Sequence, residues 1–157
     1  MKRFRHIFFK LLKENDSPEA IAGGIALGVF LGIFPTFGLG AFLALVLAGF
    51  LRLNRLASLA GAFINNPLTA PFFIGISALV GAAFFTSRVE DLLEKFGQLP
   101  GGLEGVISFF KGEGWERDLT SVLGIYLLGN TIVSLTFAAL SYILSIRIIN
   151  IYRLRGR

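Results

Sequence analysis

The sequence contains no cysteine, which excludes disulfides, a thiol nucleophile and any cysteine-based metal site. Its one histidine, His6, stands beside Arg5 near the start. Neither a histidine metal cluster nor a histidine-centred triad therefore has its parts. Charge is scarce too: 16% of the 157 residues are charged, against about 25% in a soluble domain. From Ala20 to Leu51, from Leu56 to Ser87 and from Leu119 to Ile146 there is no Asp, Glu, Lys, Arg or His at all. A carboxylate proton relay or a charge-coupled pump has no carrier inside those runs. Paired acids for hydrolysis and a glycine-rich phosphate loop with its lysine are missing as well. The absences argue against an enzyme, and neither a metal nor a cofactor is expected.

What is present is apolar. Hydrophobic residues make up 54% of the chain, glycine contributes 19 residues, and the mean hydropathy is +0.72. Glycine is common in membrane helices. The length accommodates one domain. The net charge of +5 points away from nucleic acid, because the basic residues flank apolar segments as membrane topology requires. Met1 to Lys13 has no clean apolar run and no small-residue cleavage site, so it does not read as a cleavable signal. Within 1–16, Phe4, Ile7, Phe8, Leu11 and Leu12 recur at helical spacing, with Lys2, Arg3, Arg5, Lys10 and Lys13 mostly on other faces. This is a basic amphipathic segment suited to an anionic membrane surface, or else a helix packing on its own protein.

Ser17-Pro18-Glu19 is a helix start: a capping hydroxyl, a proline suited to the first turn, and an acid at the positive dipole end. The span that follows is interrupted at Pro35-Thr36-Phe37-Gly38. After Arg52-Leu53-Asn54-Arg55 a second span begins, interrupted at Asn65-Asn66-Pro67-Leu68-Thr69-Ala70-Pro71. The two spans share a layout of small-residue helix, polar break with proline, and helix. Residues 88–118 are different, with four basic against seven acidic residues, a net −3. They read as an acidic interfacial segment outside the membrane, with Trp115 at headgroup level. Leu119 to Ile146 is long enough for one crossing, since about 20 residues suffice. The tail carries Arg147, Arg153, Arg155 and Arg157.

The pattern predicts an all-α, polytopic integral membrane protein with two broken or re-entrant helical hairpins and a C-terminal transmembrane helix. As helices, Pro18 to Phe34 would rise about 25 Å and Gly38 to Leu51 about 21 Å, both short of the roughly 30 Å hydrocarbon core. The first span either crosses once with a kink or enters and returns. The positive-inside tendency favours return, with Arg52 and Arg55 on the side of the basic N-terminus. Both termini are then cytoplasmic in an inner membrane, and residues 88–118 lie across it.

Candidate ligand-binding residues follow from the breaks. Asn65 and Asn66 are costly in an apolar run unless paired. Irregular backbone at membrane depth is tolerated only where protein buries it or a cavity hydrates it. Asn65, Asn66 and Thr69 form either a capped helix junction or a binding site of the kind broken transporter helices build, and Thr36 either sits in a hairpin tip or joins that site from the partner break. Arg52 and Arg55 are either topology signals or contacts for lipid phosphate. Gly24, Gly28 and Gly32, at intervals of four, allow close helix packing and a homo-oligomer interface, with pore lining as the alternative. Asn130 is expected to make an interhelical hydrogen bond.

Ser17-Pro18-Glu19-Ala20-Ile21-Ala22, Gly28-Val29-Phe30-Leu31-Gly32, Pro35, Arg52-Leu53-Asn54-Arg55 and Asn66-Pro67-Leu68-Thr69-Ala70-Pro71 together resemble the bacterial membrane family catalogued as domain of unknown function 2062. The resemblance runs from Ser17 through Ala82 and extends weakly to the last helix. It implies a small polytopic inner-membrane protein. Family members joined to glycosyltransferase-like domains imply a link to lipid-linked sugars or cell-envelope assembly, although this chain has no such domain.

Two functions compete. One is a transporter or flippase-like carrier of a small solute or phosphate-bearing lipid, using the paired broken helices. The other is a non-transporting scaffold or accessory subunit, partnered by membrane lipids and an envelope-biosynthesis enzyme. A hydrated cavity reaching both breaks favours the carrier, and a dry, tightly packed junction favours the scaffold.

Overall fold

A computed structural model describes residues 16–85 and 119–155. The basic N-terminal segment and the acidic segment 88–118 lie outside these residues, apart from Asp16. The described residues are all-helical: α1 Pro18–Ile33, α2 Gly40–Phe50, α3 Arg55–Ala62, α4 Ala70–Phe85 and α5 Leu119–Arg155. They fall into two units, one drawn from Met1–Asn65 and Ser134–Arg157, the other from Asn66–Val133.

In the first unit, α1 starts as its residues dictate. The Ser17 hydroxyl accepts from the Ala20 amide at 3.1 Å, Pro18 opens the first turn and Glu19 lies in it. The helix stops because Pro35 forces the residue before it out of the helical region; Phe34 is extended, at φ −60° and ψ 142°. The chain reverses through Phe37 (φ 51°) and Gly38 (φ 87°), both left-handed. The Leu39 amide closes the turn by donating to the Thr36 carbonyl at 3.0 Å. α2 then runs back antiparallel to α1. Gly40 sits against the Leu31 carbonyl near the turn, and the Leu53 side chain lies over Gly23 at the other end. The first apolar span is therefore a hairpin, and Arg52 returns to the end where α1 began.

α2 ends in a Schellman motif. The Leu53 amide donates to the Ala48 carbonyl at 2.8 Å and the Arg52 amide to the Gly49 carbonyl at 3.4 Å. Asn54 then reverses the chain once more. Its side-chain oxygen caps α3 by accepting from the Ala57 amide at 2.6 Å, and its own amide donates to the Ala20 carbonyl at 3.0 Å.

α3 runs parallel to α1, and the two are joined backbone to backbone. A Cβ on Gly24 would meet the Asn54 carbonyl, one on Gly28 the Ser58 carbonyl and one on Gly32 the Ala62 carbonyl. The four-residue spacing on α1 thus matches a four-residue spacing of carbonyls on α3. Gly61 reciprocates against Ile25 and Val29. Ser58 fills the seam to α2 by donating its hydroxyl to the Ala44 carbonyl at 3.1 Å. Around the start of α1, Ile21, Ala22, Ala57 and Ile149 of α5 form a buried apolar cluster.

In the second unit, α4 and the first part of α5 pack antiparallel. Gly81 faces the Ile125 carbonyl and Gly129 faces the Ser77 carbonyl. The Asn130 amide donates to the buried Ser77 hydroxyl at 3.2 Å and to the Tyr126 hydroxyl at 3.4 Å. The interhelical bond expected of Asn130 is this one.

α5 is longer than the uncharged run alone predicts. It continues past Ile146 to Arg155, 37 residues in all, because no glycine or proline interrupts the chain between Asn130 and Arg155. Its segment Gly124–Leu154 is the one helix among the described residues long and apolar enough to cross a membrane, and 17% of its most apolar window is buried.

Candidate functional site

Of the six residues singled out by the sequence, Thr36 and Asn65 both lie at the C-terminal end of α1. The Thr36 hydroxyl donates to the Leu31 carbonyl at 3.3 Å. The Asn65 amide nitrogen donates to the Gly32 carbonyl at 2.8 Å. Both bonds satisfy carbonyls that the end of a helix leaves without intrahelical partners. The other half of the Asn65 amide is different: its Oδ1 is buried and has no hydrogen-bond donor. A buried acceptor left unmatched costs about 1–3 kcal/mol, so this oxygen is the one polar atom at the break that invites a ligand.

Asn66 and Thr69 belong to the second unit and satisfy each other. Asn66 Oδ1 accepts from the amides of Leu68 and Thr69 at 3.0 and 3.3 Å. In return Thr69 Oγ1 accepts from the Asn66 amide at 3.0 Å. The Ala70 amide donates to the Asn66 carbonyl at 2.8 Å, which carries the chain into α4. This reciprocal arrangement is a capping box built with threonine in the third position. It agrees with the capped-junction reading of that break.

Arg52 and Arg55 stand at the opposite end of the hairpin from Thr36 and Asn65, separated by the length of α1, about 24 Å for its 16 residues. The six residues therefore do not converge on one site. At the arginine end, the Asn54 amide nitrogen donates to Asp16 Oδ2 at 2.8 Å, and Arg153 of α5 donates to the Asp16 carbonyl at 2.7 Å. Arg147 lies on the turn of α5 that carries Ile146 and Ile149 against this end. Asp16, Glu19, Arg52, Arg55, Arg147, Arg153 and Arg155 are all the charged residues among those described. Their backbones gather at this single end, and the other described residues of the unit are uncharged.

Arg52 occupies the position after the end of α2 where the Schellman motif favours glycine. Its φ of 55° is a left-handed backbone that costs a non-glycine residue about 1–2 kcal/mol. Arg55 opens α3, and its guanidinium lies against the bare backbone of Gly49. An open groove of about 580 Å³ is lined there by Phe42, Leu45, Val46, Gly49, Phe50 and Arg55. Sequence reasoning flagged both arginines but missed Gly49 and the α2 groove. Their signal was a glycine six residues before an arginine across a turn, which only a hairpin makes meaningful. Gly24, Gly28 and Gly32 face α3 of the same chain, so the close packing they permit is used within the molecule.

A model of a family described as an uncharacterised protein conserved in bacteria, DUF2062, matches residues 1–157. No curated protein and no solved structure matches the chain.

Proposed function

Since the chain belongs to this uncharacterised bacterial family, we propose that it is a non-transporting, multi-pass scaffold of the inner membrane, serving as an accessory subunit in cell-envelope assembly. The observation that carries this reading is the α1–α3 seam. Three glycines lie against three carbonyls of the neighbouring helix, leaving no path for a solute or a headgroup between them. Helices packed this closely hold one another in fixed register, which suits a platform better than a carrier that must rock between two states. The α1–α2 hairpin is too short to span, at about 24 and 17 Å for its two arms. In the proposed topology it enters and returns. The end bearing Arg52, Arg55, Arg147 and Arg153 is cytoplasmic, in keeping with the positive-inside rule, and the acidic segment 88–118 lies across the membrane.

The test is reconstitution of the purified chain into liposomes carrying a fluorescent phospholipid in both leaflets, followed by chemical quenching of the outer one. A scaffold leaves the inner-leaflet fraction protected, as in protein-free liposomes. Quenching of the inner-leaflet fluorophore above that control establishes flipping and overturns the scaffold. A carrier remains the second reading because of Asn65 Oδ1, buried at the hairpin tip without a donor.

A further inference from the structure

We propose that the groove on α2 holds one anionic phospholipid, its phosphate on the Arg55 guanidinium and one acyl chain along Phe42, Leu45, Val46 and Phe50. The groove is apolar except at one end, where Arg55 closes it. Phe42 and Phe50 are 62% and 81% exposed, so the described residues do not cover this surface. A ligand that matches such a site must be long, apolar and anionic at one end. Membrane phospholipids with a net negative headgroup have that form.

The glycine at the head of the groove sharpens the assignment. A Cβ at Gly49 would come within 2.7 Å of Arg55 Nη2 and 2.8 Å of Nε. The missing side chain lets the guanidinium lie down on the α2 backbone, which fixes where its charge sits. Arg55 is exposed, and among the described residues no carboxylate pairs with it. Its planar fork is therefore open to an external acceptor, and bidentate geometry suits a phosphate. Arg52 adds a second guanidinium on the same turn, held in a backbone conformation that glycine would adopt without strain. A cation at the end of an apolar groove attracts an anion and sets its depth at the membrane interface.

The inference shares with the scaffold reading only the membrane setting. It is tested on the purified full-length chain in detergent, where neither flipping nor envelope assembly enters. Native mass spectrometry would compare dioleoyl phosphatidylglycerol with dioleoyl phosphatidylcholine. The wild type should retain the anionic lipid in preference, and Arg55→Gln should lower its affinity about tenfold, as expected for one charged hydrogen-bonding group. Val46→Trp, which fills the groove and keeps both arginines, should weaken both lipids. Glycerol phosphate without acyl chains should not displace the bound lipid at equal concentration. Unchanged phosphatidylglycerol binding in Arg55→Gln, or in Val46→Trp, overturns the site, as does displacement by glycerol phosphate. Circular dichroism would establish that each variant is folded. If Arg55→Gln is not, Gly49→Ala decides instead. It moves the guanidinium off the helix without changing charge, so weakened binding of the anionic lipid supports the site and unchanged binding overturns it.

Discussion

In the α1–α3 pair three glycines stand on α1 in steps of four, Gly24, Gly28 and Gly32, and the partner presents carbonyls in the same steps, with Gly61 of α3 the one glycine that answers from the other side. In the α4–α5 pair each helix contributes a glycine, Gly81 and Gly129, and each meets a carbonyl of the other. The first pair is parallel and the second antiparallel. Parallel helices keep a constant register, so one periodic face serves along the whole contact. Antiparallel helices pass in opposite directions, so close approach is made reciprocally around a crossing point. The polar bonds follow the same division. The α1–α3 pair is fastened at its two ends, by the Asn54 amide on the Ala20 carbonyl and the Asn65 side chain on the Gly32 carbonyl. The α4–α5 pair is fastened in its middle, by Asn130 on Ser77.

The comparison breaks most completely at Gly28. A leucine there has nowhere to go between two backbones, and Gly28→Leu should abolish the folded species, as size-exclusion chromatography in detergent would read it. A Gly28→Leu protein that elutes and melts like the wild type would refute the parallel seam. One step milder, Gly28→Ala and Gly129→Ala both direct a methyl at a carbonyl, and each should cost about 1–3 kcal/mol of stability. A lower melting temperature for only one of them would show that the two seams are not equally close.

The two asparagines of the second break divide the effects further. Asn66→Ala removes a cap and should cost about 0.5–2 kcal/mol, read as a lower melting temperature, with any growth or envelope-stress phenotype unchanged. Asn65→Ala should lower stability less, because the substitution also removes the undonated Oδ1. If it instead abolishes the phenotype while leaving stability intact, the hairpin tip is a ligand site and the carrier reading gains its residue. Asn130→Ala should cost less than a glycine substitution, about 0.6 kcal/mol, the average of such bonds between apolar helices. Smallest of all, Gly75→Ala and Gly124→Ala lie in α4 and α5 but point into open space. Each should stay within about 0.5 kcal/mol of the wild type, and a large loss at either would place an unrecognised contact there.

The helices were largely legible in the sequence, because local chemistry sets their ends. Ser17-Pro18-Glu19 gave the start of α1, Pro35 its end, and the Asn66 and Thr69 side chains the junction into α4. The glycine spacing revealed a face made for close approach, but not what would approach it. That answer depends on α3, a helix of eight residues whose carbonyls are identical in every sequence and leave no pattern to read. The candidate site was less legible for the same reason. Arg52 and Arg55 were visible as charges, whereas the groove beside them exists only once α2 has folded back and brought Gly49 under a guanidinium. The extent of α5 depended on an absence, the lack of any glycine or proline between Asn130 and Arg155, which is easily overlooked beside a conspicuous cluster of arginines.

The α1–α3 seam also imposes an order on biosynthesis. α1 is complete at Ile33, but the carbonyls that cover its glycines extend to Ala62, about 29 residues later. At roughly 5–20 residues per second, the nascent hairpin waits a few seconds with its glycine face unprotected. During that interval α1 has only α2 for company, and the bare backbone of its glycine face stays open to its surroundings until the third helix arrives.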